Sequence, residues 1–162
     1  MHPAPFPRRA LLRALAGTAI LLPFGLRGAQ ASTPEVQVWK TPTCGCCKDW
    51  IQHLQDNGFT VRATDVPDTA PVRARAGIPA RLGSCHTALV GGYAIEGHVP
   101  ARDIQRLLRE KPRAIGITVP GMPIGSPGMD GAAYGNVRQP YEVLLVRADG
   151  STEVFARYAG NR

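Results

Sequence analysis

Apolar positions along the chain recur with two different periods, and the switching between them predicts the elements. Residues 35–39, Glu-Val-Gln-Val-Trp, set Val36 and Val38 between polar neighbours, the period of two expected of a strand. The turn Lys40-Thr41-Pro42-Thr43-Cys44 follows, with Thr43 as the expected N-cap. It leads into a helix of about a dozen residues with Trp50, Ile51 and Leu54 on its apolar face, and Asn57-Gly58 is the stop signal. Residues 59–63 read as a second strand, parallel to the first because the helix crosses over between them.

A short helix over 71–76 ends at Gly77-Ile78-Pro79. Residues 87–90 form a third strand, and Gly91-Gly92 turns it into a fourth at 93–95. Pro100 opens another helix, with Ile104, Leu107 and Leu108 as its core stripe and Lys111-Pro112 as its end. The order strand–helix–strand–helix–strand–strand–helix is that of a thioredoxin-like α/β domain, a mixed sheet with flanking helices. Residues 112–140 break the pattern with five prolines and six glycines. Ile115, Ile117, Val119 and two methionines in this Pro/Gly-rich stretch predict an ordered loop laid across the domain. A C-terminal β-hairpin over 141–147 and 152–158 turns at Asp149-Gly150. No internal repeat and no second domain is visible.

Charge changes this picture only at the N-terminus. The 162 residues carry a net charge of +7, but residues 1–31 hold Arg8, Arg9, Arg13 and Arg27 and no acid. The remainder has 15 basic against 12 acidic residues, or +3, with no aromatic residues interleaved as in a nucleic-acid groove. Nucleic acid is therefore not an expected partner. Residues 1–31 read instead as an export signal peptide: arginines, an apolar run from about residue 10 to 26, then Ala29-Gln30-Ala31 before the cleavage point. Arg13, Gly17 and Pro23 interrupt the apolar run, so no stable membrane insertion is expected once the signal is removed. The Arg8-Arg9 pair also suits twin-arginine export, with an ordinary secretory signal as the alternative. Residues 32–162 then form a single domain in the periplasm.

An even number of cysteines in an exported chain suggests disulfides, yet Cys44, Cys46 and Cys47 crowd into four residues, where a disulfide would staple little chain. Such crowding points to a chemical site. At the start of a helix the free N–H groups and the dipole favour thiolate, the form that attacks disulfides and binds metals. Gly45 lets the backbone bend closely, and Lys48 adds positive charge. In a thioredoxin-like fold the loop before the third strand packs on this helix terminus, which brings Cys85 to the other three across a gap of 38 residues. Convergent thiolates select soft metals, and three near-contiguous cysteines suit a bridged, polynuclear Cu(I) centre better than one tetrahedral zinc. An iron–sulfur or zinc module remains a weaker alternative.

Further candidate donors are His98, before the helix at Pro100, and Met122 and Met129, each set in a Pro/Gly frame; core packing is the competing role for both methionines. His86 neighbours Cys85, and alternation in an extended chain turns it away if Cys85 faces the cluster. His53, in mid-helix, is expected to be solvated, and Trp39 and Trp50 to be core or rim aromatics. The pair Cys44 and Cys47 also forms a CxxC at a strand–helix junction. The alternative function is therefore a periplasmic thiol–disulfide oxidoreductase, with Cys44 as nucleophile and Cys47 as resolving thiol.

Four segments, Thr41-Pro-Thr-Cys-Gly-Cys-Cys47, Ser84-Cys-His-Thr-Ala88, Glu96-Gly-His-Val-Pro100 and Val119-Pro-Gly-Met-Pro-Ile-Gly-Ser-Pro-Gly-Met129, together resemble the CopG-type periplasmic copper-binding proteins. That family was long catalogued as a domain of unknown function, and the resemblance spans about residues 35–158. It implies a thioredoxin-like fold, copper bound by Cys44, Cys46, Cys47 and Cys85, and a role in copper resistance. The CxxC geometry beside extra thiolates adds two further expectations: redox cycling of copper, and transfer to other periplasmic copper-handling proteins as partners.

Overall fold

The computed structural model describes residues 34–161, and the expected leader over residues 1–31 lies outside the described residues. Strand β1 (Val36–Lys40) buries Val36 and Val38 on one face, as the period of two requires. Helix α1 (Gly45–Asp56) buries Cys47, Trp50 and Leu54, spaced three and four residues apart on one stripe. Its cap is Cys44 rather than the expected Thr43, and the Cys44 side chain makes no capping hydrogen bond. Strand β2 (Val61–Asp65) pairs parallel with β1, as the crossover of α1 demands. It starts two residues later than expected and lies at the sheet edge, where its side chains are mostly exposed.

Helix α2 (Ala70–Arg75) leads through a short 3-10 turn to β3 (His86–Val90), which runs antiparallel to β1. Gly91 and Gly92 both take positive φ, 55° and 85°, which is the conformation a two-residue hairpin turn needs. They return the chain as β4 (Tyr93–Glu96). Helix α3 (Ala101–Glu110) packs Ala101, Ile104 and Leu107 into the core and half-buries Leu108. It ends where Lys111 turns left-handed, one residue before Pro112.

Within the Pro/Gly-rich stretch the structure departs from the expected loop. Residues Gly116–Thr118 form β5, fully buried, parallel to β4 and antiparallel to β6 (Tyr141–Val146). The sheet is thereby continuous across seven strands in the order β2-β1-β3-β4-β5-β6-β7, with β7 (Thr152–Tyr158) completing the C-terminal hairpin. Gly116 permits this pairing: a Cβ there would fall 1.8 Å from the Ala94 carbonyl oxygen. The expected mixed α/β sheet with flanking helices and a C-terminal hairpin is present. One hydrophobic cluster, including Trp50, Leu54, Ile95, Ile104, Leu107, Ile117 and Val143, joins its two halves. Among the described residues no helix is long and apolar enough to cross a membrane.

Candidate metal centre

The N-terminus of α1 places three sulfurs where the helix amides are unpaired, and the segment before β3 adds the fourth. The donor atoms of Cys44, Cys46, Cys47 and Cys85 all lie within 4.8 Å of one another. Cys44 and Cys47 are joined in a disulfide, while Cys46 and Cys85 are free. Sγ of Cys46 is 3.5 Å from that of Cys44 and 3.9 Å from that of Cys85, and Cys47 Sγ is 3.5 Å from Cys85 Sγ. The sequence expectation of convergence is met in space. Cys85 lies off the helix terminus, where the dipole argument for thiolate does not reach. Burial, and then the neighbouring Cys46, push its thiol up to about 12, so a metal entering there must displace a proton.

Two histidines flank this sulfur. Nε2 of His98 is 3.1 Å from Cys85 Sγ. Its other nitrogen, Nδ1, is 2.9 Å from the Pro127 carbonyl. A carbonyl only accepts, so Nδ1 carries the proton and Nε2 turns a bare lone pair toward the sulfurs. Burial lowers the His98 pKa, which keeps the ring in this neutral, ligating form. His86 was expected to face away from the cluster. Instead, its Nδ1 lies 3.3 Å from Cys85 Sγ, because Cys85 precedes the first residue of β3 and strand alternation does not govern it. Its ring is fully buried, 4.2 Å from that of Trp50 and 5.0 Å from that of His98, and its Nε2 has no hydrogen-bond partner among the described residues. Adjacency to Cys85 was the one sequence signal for it.

His53 likewise departs from expectation: it is half-buried, and its Nε2 accepts the Ala101 N–H at 3.1 Å, serving the first amide of α3 that Pro100 has no side chain to cap. Trp50 is a core aromatic, donating Nε1–H to the Val99 carbonyl at 2.8 Å, and Trp39 is half-buried. Residues 119–129 lie along the site. The Gly121 N–H bonds the Gly83 carbonyl at 3.0 Å, and Ser84 Oγ donates to the Gly121 carbonyl. Gly128 packs so closely on α1 that a Cβ would come within 2.6 Å of the Cys46 carbonyl oxygen. Met129 is buried, whereas Met122 is half exposed.

A further pair was not found from the sequence. Glu96 ends β4 with its side chain wholly buried, and Arg73 of α2 reaches it at 2.7 Å. An acid closing an apolar strand, Tyr93-Ala94-Ile95-Glu96, was the available signal.

The chemistry of this donor set suits a soft metal ion. Up to four sulfurs converge in one group and Cys85 joins the imidazoles of His86 and His98 in a second, and no carboxylate belongs to either among the described residues.

Two solved structures, titled "Copper resistance protein copG- Form 1" and "Copper resistance protein copG- Form 2", are similar to this chain at 44% identity. The first covers 79% of this chain and 99% of its own with a TM-score of 0.73; the second covers 78% and 98% with 0.72. The family model described as "Protein of unknown function, DUF411" matches residues 82–129, the stretch that carries Cys85, His86 and His98. No curated protein matches the chain.

Proposed function

Because this chain belongs to the CopG family of copper resistance proteins, we propose that it binds Cu(I) in a cysteine-bridged, polynuclear centre in the periplasm and protects the cell from copper. The observation that carries this reading is the convergence of four sulfurs, one of which, Cys85 Sγ, also meets Nε2 of His98. Cys44, Cys46, Cys47 and Cys85 are the proposed ligands, with His98 beside them and Met122 and Met129 as further candidates on the adjoining segment. Four sulfurs this close favour shared, bridging ligation, which spreads thiolate charge over more than one soft cation. Bound copper supplies a one-electron couple.

The chain's own residues set the terms of entry. In the disulfide form Cys44 and Cys47 are engaged with each other, so ligation by both as thiolates requires two electrons to open that bond. Cys85 releases its proton on ligation. The Pro127 carbonyl holds His98 in the tautomer that ligates. Residues 1–31 are the proposed export signal, and other periplasmic copper-handling proteins are the proposed partners for transfer.

The Cys44–Cys47 disulfide at a helix N-terminus favours a second reading, a thiol–disulfide oxidoreductase. One residue separates the two. A disulfide exchanger has no use for Cys46, so Cys46→Ser leaves exchange intact, whereas the copper reading predicts that it collapses the centre. Protein purified anaerobically from copper-fed cells is measured for copper per chain and for free thiols. More than one copper per chain, lost in Cys46→Ser, supports the centre. A reduced protein that refuses Cu(I) overturns it.

A further inference from the structure

Cys85 stands apart from the other three cysteines in the manner of its placement. Those three are carried by one helix terminus; Cys85 lies on residues 83–85, which belong to no helix or strand and lead into β3. Gly121 bonds the Gly83 carbonyl and the Ser84 hydroxyl from one side, and a buried ion pair holds the Ser84 backbone from the other. The Glu96 carboxylate accepts the Ser84 N–H at 2.7 Å, the Thr87 hydroxyl at 2.6 Å and Arg73 Nε at 2.7 Å. Arg73 Nη2 in turn donates to the Ser84 carbonyl at 2.7 Å and to Thr69 Oγ1 at 3.3 Å. The two charges therefore grip both backbone polar groups of Ser84, and the carbonyl they hold belongs to the peptide bond that leads into Cys85.

The neighbouring glycines are cut to this grip. A Cβ on Gly83 would meet the Arg73 guanidinium at 2.8 Å. A Cβ on Gly97, where φ is +73°, would meet the Ser84 side chain at 2.6 Å. A buried ion pair is a weak device for stability, since well-packed apolar side chains often serve as well or better. What apolar side chains lack is directional hold on a peptide group.

We propose that Arg73 and Glu96 are positioning residues: by clamping Ser84 they present Cys85 Sγ to the sulfurs of Cys46 and Cys47 and to His98. This rests on reading the four cysteines as one site, but it does not require copper. The clamp acts on the metal-free protein, and its test is chosen accordingly.

The reduced, metal-free protein is treated with a short bifunctional thiol reagent, and the bridged cysteine pairs are mapped by mass spectrometry. The variant Arg73→Met/Glu96→Leu keeps apolar bulk but lacks the grip, and its folding is checked by circular dichroism and thermal unfolding. In the folded variant, bridges from Cys85 to Cys46 or Cys47 are expected to fall by about fivefold or more, the change that follows from losing one or two net hydrogen bonds of placement. Bridging between Cys44 and Cys46, both at the α1 terminus, is expected to stay as in the wild type. Glu96→Gln keeps an acceptor for the Ser84 N–H and is expected to recover most of the Cys85 bridging.

Unchanged Cys85 bridging in the folded double variant overturns the proposal. So does an equal loss of Cys44–Cys46 bridging, which would make the pair a general support. Should the double variant not fold, Arg73→Lys decides: it keeps the charge and loses the forked reach, so wild-type Cys85 bridging there overturns the clamp and a selective fall supports it. A parallel Cu(I) titration separates the two readings. A wild-type protein that takes no copper defeats the copper centre and leaves the bridging result standing.

Discussion

Acid should unfold this protein through His86, and the size of the effect follows from where the ring sits. His86 is fully buried, packed between Trp50 and His98, with one ring nitrogen unpartnered among the described residues. Burial, and then the charge of His98, lower its pKa from 6.5 to about 3. The folded state thus holds it neutral while the unfolded chain protonates it near 6.5. Its contribution to stability is present above pH 6.5 and is lost as pH falls from there toward about 3. At about 1.4 kcal/mol per pH unit, the loss attributable to His86 is on the order of 2 kcal/mol at pH 5, a large share of a small domain's stability. The perturbation is His86→Phe, which keeps an aromatic ring against Trp50 and removes the titrating group. Urea unfolding of the metal-free disulfide form at pH 7 and pH 5 measures the difference. His53, whose pKa burial also lowers, stays in both proteins and its share cancels, while the repulsion between His98 and a protonated His86 is part of the effect measured. Wild type is expected to lose about 2 kcal/mol more than the variant between the two pH values. Equal losses, within about 0.5 kcal/mol, would refute the assignment of the acid sensitivity to this ring.

Three further outcomes follow from contacts. Gly116→Ala forces a Cβ against the Ala94 carbonyl, so β4 and β5 must part; a destabilisation of about 2–4 kcal/mol is expected by denaturant unfolding, and a change below about 0.5 kcal/mol would mean that the two strands do not pair so closely. Trp50→Phe strands the buried Val99 carbonyl and opens space beneath α1, at a cost of about 2–4 kcal/mol in the same assay, with the number of titratable thiols unchanged. Gly128→Ala must adopt φ near +81° and push on the Cys46 carbonyl and the Trp50 amide. Its effect is expected to be local: alkylation of Cys46 in the disulfide form speeds up several-fold while global stability falls by about 1–2 kcal/mol, and an unchanged alkylation rate would show that the segment does not cover this sulfur.

What was legible in the sequence were features whose causes are local. The α1 stripe of Trp50 and Leu54, the Gly91-Gly92 hairpin and the Asp149-Gly150 hairpin each declare themselves within a few residues, and all three are present. The convergence of Cys85 on the helix terminus came from topology, since a strand antiparallel to β1 must begin beside the end of β1 where the cysteine turn starts. β5 was hidden because three residues with a central-sheet role, Gly116–Thr118, sit between prolines at 112 and 120 and include a glycine that a propensity reading assigns to a loop. The Arg73–Glu96 pair was hidden for a different reason: its partners lie 23 residues apart on separate elements, and nothing local to either marks the other. His86 was misplaced by applying strand alternation one residue too early, at a point where side-chain hydrogen bonds rather than a ladder set the backbone.

The strand missed in the sequence is also what makes the site more than a helix terminus with thiols. Because β5 lies mid-sheet, the chain leaves it at Val119, whose N–H bonds the Glu96 carbonyl at 3.0 Å, directly beside the residue whose side chain grips Ser84. From there Gly121 meets Gly83, Pro127 meets His98, and Gly128 meets α1. Each of these contacts constrains one donor: the first the approach of Cys85, the second the tautomer of His98, the third the backbone of Cys46. A dithiol that only exchanges disulfides needs none of them, since Cys44 and Cys47 already lie together at the cap and first turn of α1. The cost of ordering so much Pro- and Gly-rich chain is justified if the function depends on holding the Cys46 and Cys85 sulfurs and a neutral imidazole together. That dependence supports the metal-binding reading over the exchange reading, and it places the discriminating substitutions at Cys46 and Cys85 rather than at the CxxC pair.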